Sequence, residues 1–475
     1  VHQHGGGTQV LAGTLRLAGG QAVPDAGVVD IAAGATLQLD ASETLAQLTG
    51  AGALLLQPGA TLSLGDAGNF RFDGTLAGAG ALVKLGSGQL TLAGASGHQG
   101  GTLVQAGRLA LAAPAVLADS TVTLASQPGV ELRLLGDTRI GALASVDGPV
   151  APAVVLDGFT LAAGGNGGST RFAGSTQGSG GLVKQGGGTL TLDGSTGHAG
   201  ATRVQAGSLV LAGAQALDVA SAVQVDAGAS LMLAAAQTIG TLAGDGAVQL
   251  GAFQLTTAAA ADSLFGGSIS GSGGLAKLGA GRLTLAGANL FTGAVDVQQG
   301  TLVLAGGAAL ADGLALQIGA AGTVVATASE TVGALAGTGA LVLDQGRFTT
   351  GGTGSSTRFD GTIRGGGQLA KAGAGSLSLG GTNSHTGGLA LLGGTLAVSS
   401  DGALGAVPGA GTPASLLFDG GTLQATASVT LAPTRQLVLQ GAGGTLQVDA
   451  GHTLVVPAAL AVGRGGQGQR AAAGL

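Results

Sequence analysis

Short alternations of apolar and polar residues run along most of the chain. Typical segments read TLSL, QLTL, RLAL, TVTL and ELRL, and each is bounded by Gly, Asp, Asn or Pro. Alternation with a period of two predicts β-strands of about four residues that bury one face. No window of a dozen residues holds a helical stripe free of glycine. The pattern therefore predicts an essentially all-β protein.

Four copies of one long motif occur along the chain. The copy that begins at Phe72 reads FDGTLAGAGALVKLGSGQLTLAGASGHQGGTLVQAGRLALA, and it returns from Phe172, Phe265 and Phe359. Every lysine of the protein occupies the same place in this motif, at separations of 100, 93 and 94 residues: Lys84, Lys184, Lys277 and Lys371. A second block, SETLAQLTG from Ser42, recurs with similar spacing. The sequence therefore predicts repeats 1 to 4 at residues 44–137, 138–237, 238–330 and 331–428, followed by a β-helical segment at 429–475.

Strands this short cannot bury enough surface as isolated hairpins, whereas stacked coils share one continuous core. We therefore predict a parallel β-helix, or β-solenoid, that extends over residues 1–475 without a separate globular domain. Three strands per coil would divide a repeat into about four coils of roughly 23 or 24 residues, which gives about 20 rungs over the chain. Parallel crossovers are nearly always right-handed, so a right-handed helix is expected.

The segment from Gly180 to Gly213 resembles a known family motif. It reads GGLVKQGGGTLTLDGSTGHAGATRVQAGSLVLAG and is similar to the passenger-associated repeat of type V bacterial autotransporters. The segment from Leu416 to Val456 resembles another common passenger segment. The resemblance implies a passenger that is secreted or exposed on the bacterial cell surface. It also implies a C-terminal translocator barrel beyond Leu475, which would be the passenger's sole link to the outer membrane.

Composition excludes several classes of partner and site. A net charge of −6 without any basic run gives no electrostatic footprint for nucleic acid. No stretch of about 18 uninterrupted apolar residues occurs, so the chain is not expected to cross a bilayer as helices. The absence of cysteine excludes disulfides and thiolate metal sites. We expect a monomer.

One turn position is occupied by histidine where the family usually has an aromatic residue. This chain has His98, His198 and His385 there, and Phe291 in repeat 3. At about four coils per repeat, successive histidines would lie roughly 19 Å apart along the axis, too far to share a metal ion. We therefore interpret them as turn residues that fill the space of an aromatic ring, in preference to metal-binding or pH-sensing sites.

Other residues that recur in register receive the same kind of interpretation. Because the lysines are spaced one per repeat, they form no patch, and a solvated or locally paired role is predicted for them. Two series of phenylalanines are predicted to fill the core or the corners of the coils: Phe72, Phe172, Phe265 and Phe359, and Phe159, Phe253 and Phe348.

No constellation of catalytic residues is evident. Carbohydrate-active enzymes use paired carboxylates, but the 24 acidic residues are spread thinly along this chain. Ser96 and Ser195 lie close in sequence to His98 and His198, yet a triad also needs a buried carboxylate behind the base. The glycine-rich run at Gly164 lacks the aspartate of calcium-binding solenoid repeats. The sequence therefore predicts no catalytic residue, no metal site and no cofactor.

Repeat 2 departs from the other repeats, and binding is predicted there. Six extra residues fall between Thr138 and Lys184, where SVDGPVAPA occupies positions 145–153. The same repeat carries VELRLLGDTRIG, in which charged residues replace mostly neutral ones. Two interpretations remain open: a tolerated loop beside a solvated face, or a contact site for a host protein. The candidate binding residues are Glu131, Arg133, Asp137, Arg139, Asp147, Pro149 and Pro152.

Together these features favour a non-enzymatic virulence factor that binds host molecules. The family resemblance implies adhesion, or immune evasion through capture of host regulatory proteins. The partner would then be a serum complement regulator, a matrix protein or a cell-surface receptor. Two alternatives remain open: a β-helical stalk for a protease or esterase domain outside this chain, and a carbohydrate-active β-helix.

Overall fold

The structure is a computed structural model, and it describes residues 7–112, 117–195, 197–409, 416–457 and 460–462. The chain divides into two compact units, residues 1–239 and residues 240–475. We call them the N-terminal unit and the C-terminal unit. Each is built from short parallel strands, and the repeat boundaries proposed from the sequence stay predictions.

The strands of the N-terminal unit have two to five residues each. The first are β1 (Thr8–Val10), β2 (Thr14–Leu17), β3 (Val28–Ile31), β4 (Thr36–Leu39), β5 (Glu43–Leu45), β6 (Gln47–Gly50), β7 (Ala53–Leu56), β8 (Thr61–Leu64), β9 (Phe70–Phe72), β10 (Thr75–Gly78) and β11 (Ala81–Lys84). Next are β12 (Gln89–Leu92), β13 (Ser96–His98), β14 (Thr102–Val104), β15 (Arg108–Leu111), β16 (Thr121–Leu124), β17 (Glu131–Leu134), β18 (Thr138–Ile140), β19 (Ala142–Ser145), β20 (Ala153–Asp157) and β21 (Leu161–Ala163). The last are β22 (Thr170–Phe172), β23 (Ser175–Gly178), β24 (Leu182–Lys184), β25 (Thr189–Leu192), β26 (Gly197–His198), β27 (Thr202–Val204), β28 (Ser208–Leu211), β29 (Ala222–Val225), β30 (Ser230–Leu233) and β31 (Gln237–Ile239).

Three strands make one coil, and each strand pairs in parallel with the strand one coil earlier. On the first face the order is β1–β3–β6–β9–β12–β15–β17–β20–β23–β26, and paired residues are 19 to 23 positions apart. The second face carries β2–β4–β7–β10–β13 and later β18–β21–β24–β27–β29. The third face carries β5–β8–β11–β14–β16–β19 and later β22–β25–β28–β30.

Corner hydrogen bonds show that the two parts of each face are continuous. After the second face, Ser120 Oγ donates to the carbonyl oxygen of Gly100, and the amide of Gly141 donates to the carbonyl oxygen of Ser120. On the third face, the amide of Ala173 donates to Ser145 Oγ over 2.9 Å. The three faces therefore continue through the described part of the N-terminal unit.

The C-terminal unit is built in the same way. It begins with β32 (Thr241–Gly244), β33 (Ala247–Gln249), β34 (Leu255–Thr257), β35 (Ser263–Phe265), β36 (Ser268–Ser270), β37 (Leu275–Lys277), β38 (Arg282–Leu285), β39 (Val295–Leu304), β40 (Ala315–Ala326), β41 (Glu330–Val332), β42 (Ala334–Gly337), β43 (Ala340–Leu343) and β44 (Arg347–Thr350). It continues with β45 (Thr357–Phe359), β46 (Thr362–Arg364), β47 (Gln368–Lys371), β48 (Ser376–Leu379), β49 (Leu389–Leu391), β50 (Thr395–Val398), a short 3-10 helix (Asp401–Leu404), β51 (Leu416–Phe418), β52 (Thr422–Ala425), β53 (Val429–Thr430), β54 (Leu437–Leu439), β55 (Thr445–Val448), β56 (Leu454–Val455) and β57 (Leu460–Val462).

Two strands of the C-terminal unit are longer, because each continues around a corner. The first halves of β39 and β40 belong to a face that runs β34–β37–β39–β40–β42–β45–β48–β50–β52–β55. Their second halves belong to the face β32–β35–β38–β39–β40–β43–β46. The remaining strands form the sheets β33–β36, β41–β44–β47–β49–β51–β54–β57 and β53–β56.

Side chains alternate between the core and the surface along most strands, as the period of two predicts. Leu37, Leu54 and Leu76 pair in register and form one inward ladder, and all three are buried. In the described residues the coils number about 22, so the predicted all-β solenoid is confirmed. The hand of the coil stays a prediction. Within the described part of the chain, no helix is long and apolar enough to cross a membrane.

The recurrent phenylalanines divide into a buried and an exposed group. The four at the start of the motif, and Phe348, are at most 1% exposed. Phe159 and Phe253 are 36% and 37% exposed, because they lie in the turns after β20 and β33 and not on an inward strand position. Phe159 and Phe253 therefore lie at corners, and the other five fill the core, which are the two roles that the prediction allowed.

Equivalent residues of successive repeats lie on different faces. In the C-terminal unit, register pairs lead from Lys277 through Val297, Ile318 and Gly337 to Phe359, which makes four coils on one face. Lys371 lies two strands further along, on β47. A repeat therefore spans about four and two-thirds coils, or roughly 22 Å, and not the four coils predicted. The error arose because the coils are shorter than the predicted 23 or 24 residues.

The four lysines are buried and not solvated. In the N-terminal unit, Lys84 occupies an inward position in register with Leu64 and Val104 and is 0% exposed. Its ammonium donates to the carbonyl oxygens of Gly86 over 2.9 Å and Ala106 over 3.3 Å, and also to that of Leu85. The other three lysines make the same kind of backbone bonds. The solvated role is thus contradicted, and the pairing is with carbonyl groups.

Candidate binding surface

Four charged side chains alternate in sign across three adjacent strands of the first face. Arg108 on β15 lies 3.3 Å from the Glu131 carboxylate on β17, measured from Nε to Oε2. Arg133 lies 4.0 Å from the other oxygen of Glu131 and 3.0 Å from Asp157 Oδ2 on β20. Register explains the contacts, because Arg108 pairs with Glu131, and Arg133 pairs with Val155, which lies two residues before Asp157. We call these four residues the charged ladder.

The insertion lies at the corner that leads to this face. Residues 146–152 connect β19 to β20 with seven residues, whereas two residues connect the equivalent strands of repeats 1, 3 and 4: 51–52, 245–246 and 338–339. The position of the insertion predicted from the sequence is therefore confirmed.

Hydrogen bonds hold the two ends of this loop. The Val146 amide donates to the carbonyl oxygen of Leu124, and the Val150 amide donates to Ser126 Oγ over 3.0 Å. Asp147 is exposed at the tip and forms an ion pair with Arg171 on β22, which also pairs with Asp193. The loop is thus anchored to the coils before and after it, and its tip stays open to solvent.

A cleft of about 610 Å³ lies between this loop and the turns of the two preceding coils. Its lining is mostly polar or small: Gln105, Ala106, Ala125, Ser126, Gln127, Pro128, Val146, Asp147, Gly148 and Pro149. Its volume is in the range of ligand pockets, and the exposed Asp147 and Pro149 form one rim. We call the charged ladder together with residues 146–152 the loop surface.

The structure brings together only part of the predicted site. Glu131, Arg133, Asp147 and Pro149 belong to the loop surface. Pro152 is buried, and its carbonyl oxygen accepts the amide of Ser175 over 2.9 Å, so it anchors the loop.

Asp137 and Arg139 lie elsewhere on the coil. Asp137 follows the first face and accepts the amide of Thr160 over 2.8 Å. Arg139 is exposed on β18 of the second face and lines a different cleft. The seven predicted residues therefore do not form one site.

Sequence reasoning missed a set of acidic or amide side chains that cap the corners. At the position of Asp137 in the other repeats, Glu43 accepts the amide of Ala22, Gln237 that of Ala216, and Glu330 those of Ala309 and Leu310. Burial raises the pKa of Glu330, although those two amides partly offset the effect. The signal was available, because these residues are spaced like the lysines. Asp137 occupies the same repeat position as these capping side chains, so its role is structural.

A buried ion pair in the C-terminal unit was also missed. Arg435 is 1% exposed and binds both carboxylate oxygens of Asp401, over 2.7 and 3.0 Å. It also donates to the carbonyl oxygens of Leu404 and Gly405. Arg435 therefore fixes the 3-10 helix from inside. Its partner is 34 positions away in the chain, so sequence spacing gives no signal for it.

The histidines are buried ring fillers, as predicted. His98, His385 and Phe291 are at most 1% exposed, and neither histidine has a hydrogen-bond partner for its ring nitrogens among the described residues. His198 differs, because Thr176 Oγ1 lies 2.6 Å from Nδ1 and Thr202 Oγ1 lies 3.1 Å from Nε2.

Burial also governs the chemistry of these rings. It lowers the pKa of His98, an effect that the nearby backbone of Gly101 and Gly78 partly offsets. Ser96 Oγ donates to the carbonyl oxygen of Leu76 over 2.8 Å and not to the ring of His98, so the two do not form a nucleophile and its base. Among the described residues, no three His, Asp or Glu side chains come together in a way that could hold a metal ion.

The repeat motif itself matches a known family. Residues 82–111, 182–211, 275–304 and 369–398 match the passenger-associated-transport-repeat family. Each match begins in the strand that holds one of the four buried lysines, and the matches end at the last residues of β15, β28, β39 and β50. The chain therefore carries the repeats of an autotransporter passenger, and we refer to it as the passenger. The passenger is secreted and lies at the bacterial cell surface in association with the outer membrane.

One curated relative extends this comparison. Over 126 residues, or 26% of the chain, the passenger is 43% identical to the adhesin BmaC autotransporter of Brucella suis biovar 1 (strain 1330). The matched region spans 4% of the length of that relative. No solved structure matches the passenger.

Proposed function

We propose that the passenger is an adhesin-type surface protein that binds host molecules as a monomer and without catalysis. Its similarity to an autotransporter adhesin supports this class of function. The separation of Ser96 from the ring of His98 supports the non-catalytic part of the proposal. The host molecule would be a matrix protein, a cell-surface receptor or a serum complement regulator, so adhesion and immune evasion are both covered.

The loop surface is our candidate for the contact. The observation that carries this choice is the seven-residue connection of repeat 2, in place of the two residues in the other repeats. Stacking does not require this loop, because three repeats form the same corner without it. Loops held by a rigid scaffold are common binding elements.

The charged ladder suits a protein partner. Its side chains are paired with each other in the free passenger, and exposed ion pairs of this kind contribute about 0–1 kcal/mol each. A partner with complementary charges can therefore replace these pairs at little cost, and it gains specificity from the alternation of sign. The side chains of Arg108 and Arg133 are 54% and 39% exposed, so both are accessible.

Replacing residues 146–152 with the Ala-Gly connection of repeat 1 tests this proposal. We expect the variant to keep its far-ultraviolet circular dichroism and to lose about tenfold or more of its affinity for host epithelial cells. Arg133→Glu should lower the same affinity, because it places a third acidic group beside Glu131 and Asp157. Arg71→Glu is the matched control, since Arg71 is an exposed arginine on the same face that pairs with Asp73.

Cell binding by the purified passenger, measured by flow cytometry with fluorescent protein, distinguishes the outcomes. Equal binding by the folded loop variant and the wild type would remove the loop surface from the contact. Binding of a purified complement regulator, but not of cells, would identify immune evasion as the activity. If Arg71→Glu weakened binding as much as Arg133→Glu, the contact would depend on net charge and not on the loop surface.

A further inference from the structure

A second cleft, on the opposite side of the second face from Asp137, contains the predicted residue Arg139. It has a volume of about 540 Å³ and is lined by Ala118, Asp119, Arg139, Gly165, Gln185, Gly186, Gln205 and Ala206. These residues come from five successive coils, because Arg139, Ala162, Val183 and Arg203 follow one another in register. Five coils span about 19 Å along the axis. The cleft is therefore elongated and parallel to the stack.

Arg139 is unusual among the arginines of the N-terminal unit. Within its described residues, six arginines form ion pairs with a carboxylate: Arg16, Arg71, Arg108, Arg133, Arg171 and Arg203. Arg139 is exposed and has no ion-pair or hydrogen-bond partner in this part of the structure. Its register neighbours explain this, because Ala162 and Val183 occupy the next two coils. All five guanidinium N–H groups are therefore available to a ligand.

A second positive charge lies beneath the floor of the cleft. Lys184 is 0% exposed, and its ammonium donates to the carbonyl oxygens of Gln185, Gly186 and Ala206 over 2.6, 2.8 and 3.1 Å. These three residues line the cleft. Their carbonyl oxygens point inward to the ammonium, so the buried charge contributes positive potential to the floor.

The remaining polar groups of the cleft suit hydroxyl groups. Gln185 Nε2 donates to Gln205 Oε1 over 3.0 Å, which leaves the Gln205 amide nitrogen as a donor and the Gln185 amide oxygen as an acceptor. Asp119 is exposed at one end and supplies a further acceptor. Its negative charge opposes a ligand with several anionic groups, whereas Arg139 and Lys184 together leave one net positive charge.

The wall of the cleft is held in place before any ligand binds. Asn166 Nδ2 donates to Thr121 Oγ1, two coils earlier, over 3.1 Å. Its side-chain oxygen accepts the amide of Gly168 over 3.0 Å, and the amide of Gly164 donates to the carbonyl oxygen of Gly141. Gly165 therefore lies at a fixed position on the rim. A preformed site avoids part of the ordering cost of binding.

We propose that this cleft binds an oligosaccharide that carries a carboxylate, with Arg139 as the carboxylate ligand and the two glutamine amides and Asp119 as ligands of the sugar hydroxyls. The planar guanidinium fits a carboxylate in a bidentate manner. The elongated shape fits several sugar residues in a row. The site is separate from the loop surface, so the inference does not depend on the contact proposed there.

The test uses the 475-residue chain with two probes, a sialylated trisaccharide and a glucuronate-containing tetrasaccharide, in titration calorimetry. We expect at least one probe to bind, and Arg139→Ala to weaken it by about tenfold or more, as for a hydrogen bond to a charged group. Arg139→Lys should recover part of the affinity, since it keeps the charge and loses the bidentate geometry. Gln205→Ala should weaken binding to a smaller extent.

Two controls make the result decisive. Arg203→Ala removes an arginine that lies in the same register series as Arg139 on the second face and pairs with Asp226. This variant should leave the affinity unchanged, as should the loop replacement at 146–152. The carboxyl-reduced forms of both sugars should bind as weakly to the wild type as the acidic forms bind to Arg139→Ala. Three results would each overturn the proposal. Both acidic probes could fail to bind at millimolar concentration, Arg139→Ala could bind them as tightly as the wild type, or an acidic peptide could bind in their place.

Discussion

At the recurrent histidine position, the repeats of this chain keep a buried ring of similar size, and the charge of the imidazole is not used. His385 and Phe291 fill equivalent buried sites. Burial and, to a smaller extent, the positive charge of Arg435 together lower the pKa of His385 to about 4. In the unfolded chain the imidazole pKa is near 6.5. The unfolded chain thus binds more protons between about pH 4 and 6.5, and stability is lost as the pH falls through this range.

The change His385→Phe tests this account. The variant should lose the acid-induced decrease in stability that His385 causes, so its advantage over the wild type should grow from pH 7 to pH 5 in thermal unfolding. His452→Phe is the control, because it makes the same substitution at an exposed position. An identical pH dependence in His385→Phe and wild type would show that the buried ring is not what limits acid stability.

The buried lysines show where sequence reasoning stopped at the residue scale. In the segment ALVK of β11, Lys84 has the same parity as the buried Leu82, so the period of two placed it inward. A charged residue at an inward position suggests that the strand register has been assigned wrongly, unless the partners of the charge are known. One of them, the carbonyl oxygen of Ala106, comes from the next coil, and only the register of the coils reveals it.

At the scale of the element, the glycines of the corners set how closely the coils approach. A Cβ atom at Gly94 would collide with the carbonyl oxygen of Gly74 in the preceding coil. The same stacking recurs in every repeat, for Gly194 over Gly174, Gly287 over Gly267 and Gly381 over Gly361. The phenyl ring of Phe72 packs against Gly74 in turn. These corners therefore admit no side chain.

We expect Gly94→Ala to destabilise the fold by about 1–3 kcal/mol, because the colliding atom is backbone and cannot move aside as a side chain would. Gly101→Ala, in the same coil, is the matched control, since a Cβ there would meet nothing within 4 Å. Chemical denaturation of both variants measures the difference. Equal stability of the two would mean that the coils can separate locally to accept a methyl group.

Sequence patterns predicted the strands and the insertion better than the arrangement of the faces. The alternation in TLSL and ELRL gave β8 and β17, and comparison of repeats placed the insertion at 145–153, where the structure has a loop at 146–152. The rotation of each repeat by one face was not predictable, because it depends on the number of residues in each coil. The sequence of a turn does not show how many residues that turn contains. Asp137 and Arg139 lie outside the predicted site for a different reason, because the chain turns a corner after β17 and places them after the first face and on the second face.

At the scale of the whole molecule, the lysines give the chain an unusual response to alkaline pH. The protein has no tyrosine and no cysteine, so the four lysines are its only side chains that titrate between about pH 8 and 10.5. Burial lowers the pKa of Lys84 to about 8, although nearby Asp66 opposes the effect. It also lowers the pKa of the other three, and Asp262 opposes this for Lys277.

These shifts predict that stability increases with alkalinity. Because the folded chain releases these protons at lower pH than the unfolded chain, the free energy of unfolding should rise between about pH 8 and 10.5, by up to roughly 1.4 kcal/mol per pH unit for each lysine. Below about pH 8 both states are protonated at Lys84, and its contribution becomes constant. Denaturant unfolding at pH 8, 9 and 10 measures the slope of the unfolding free energy against pH. Lys84→Met should lower this slope by at most the contribution of one proton, which is about 1.4 kcal/mol per pH unit. A wild-type slope that is zero or negative over this range would mean that the carbonyl oxygens stabilise the ammonium groups as well as water does, in which case burial carries no electrostatic penalty.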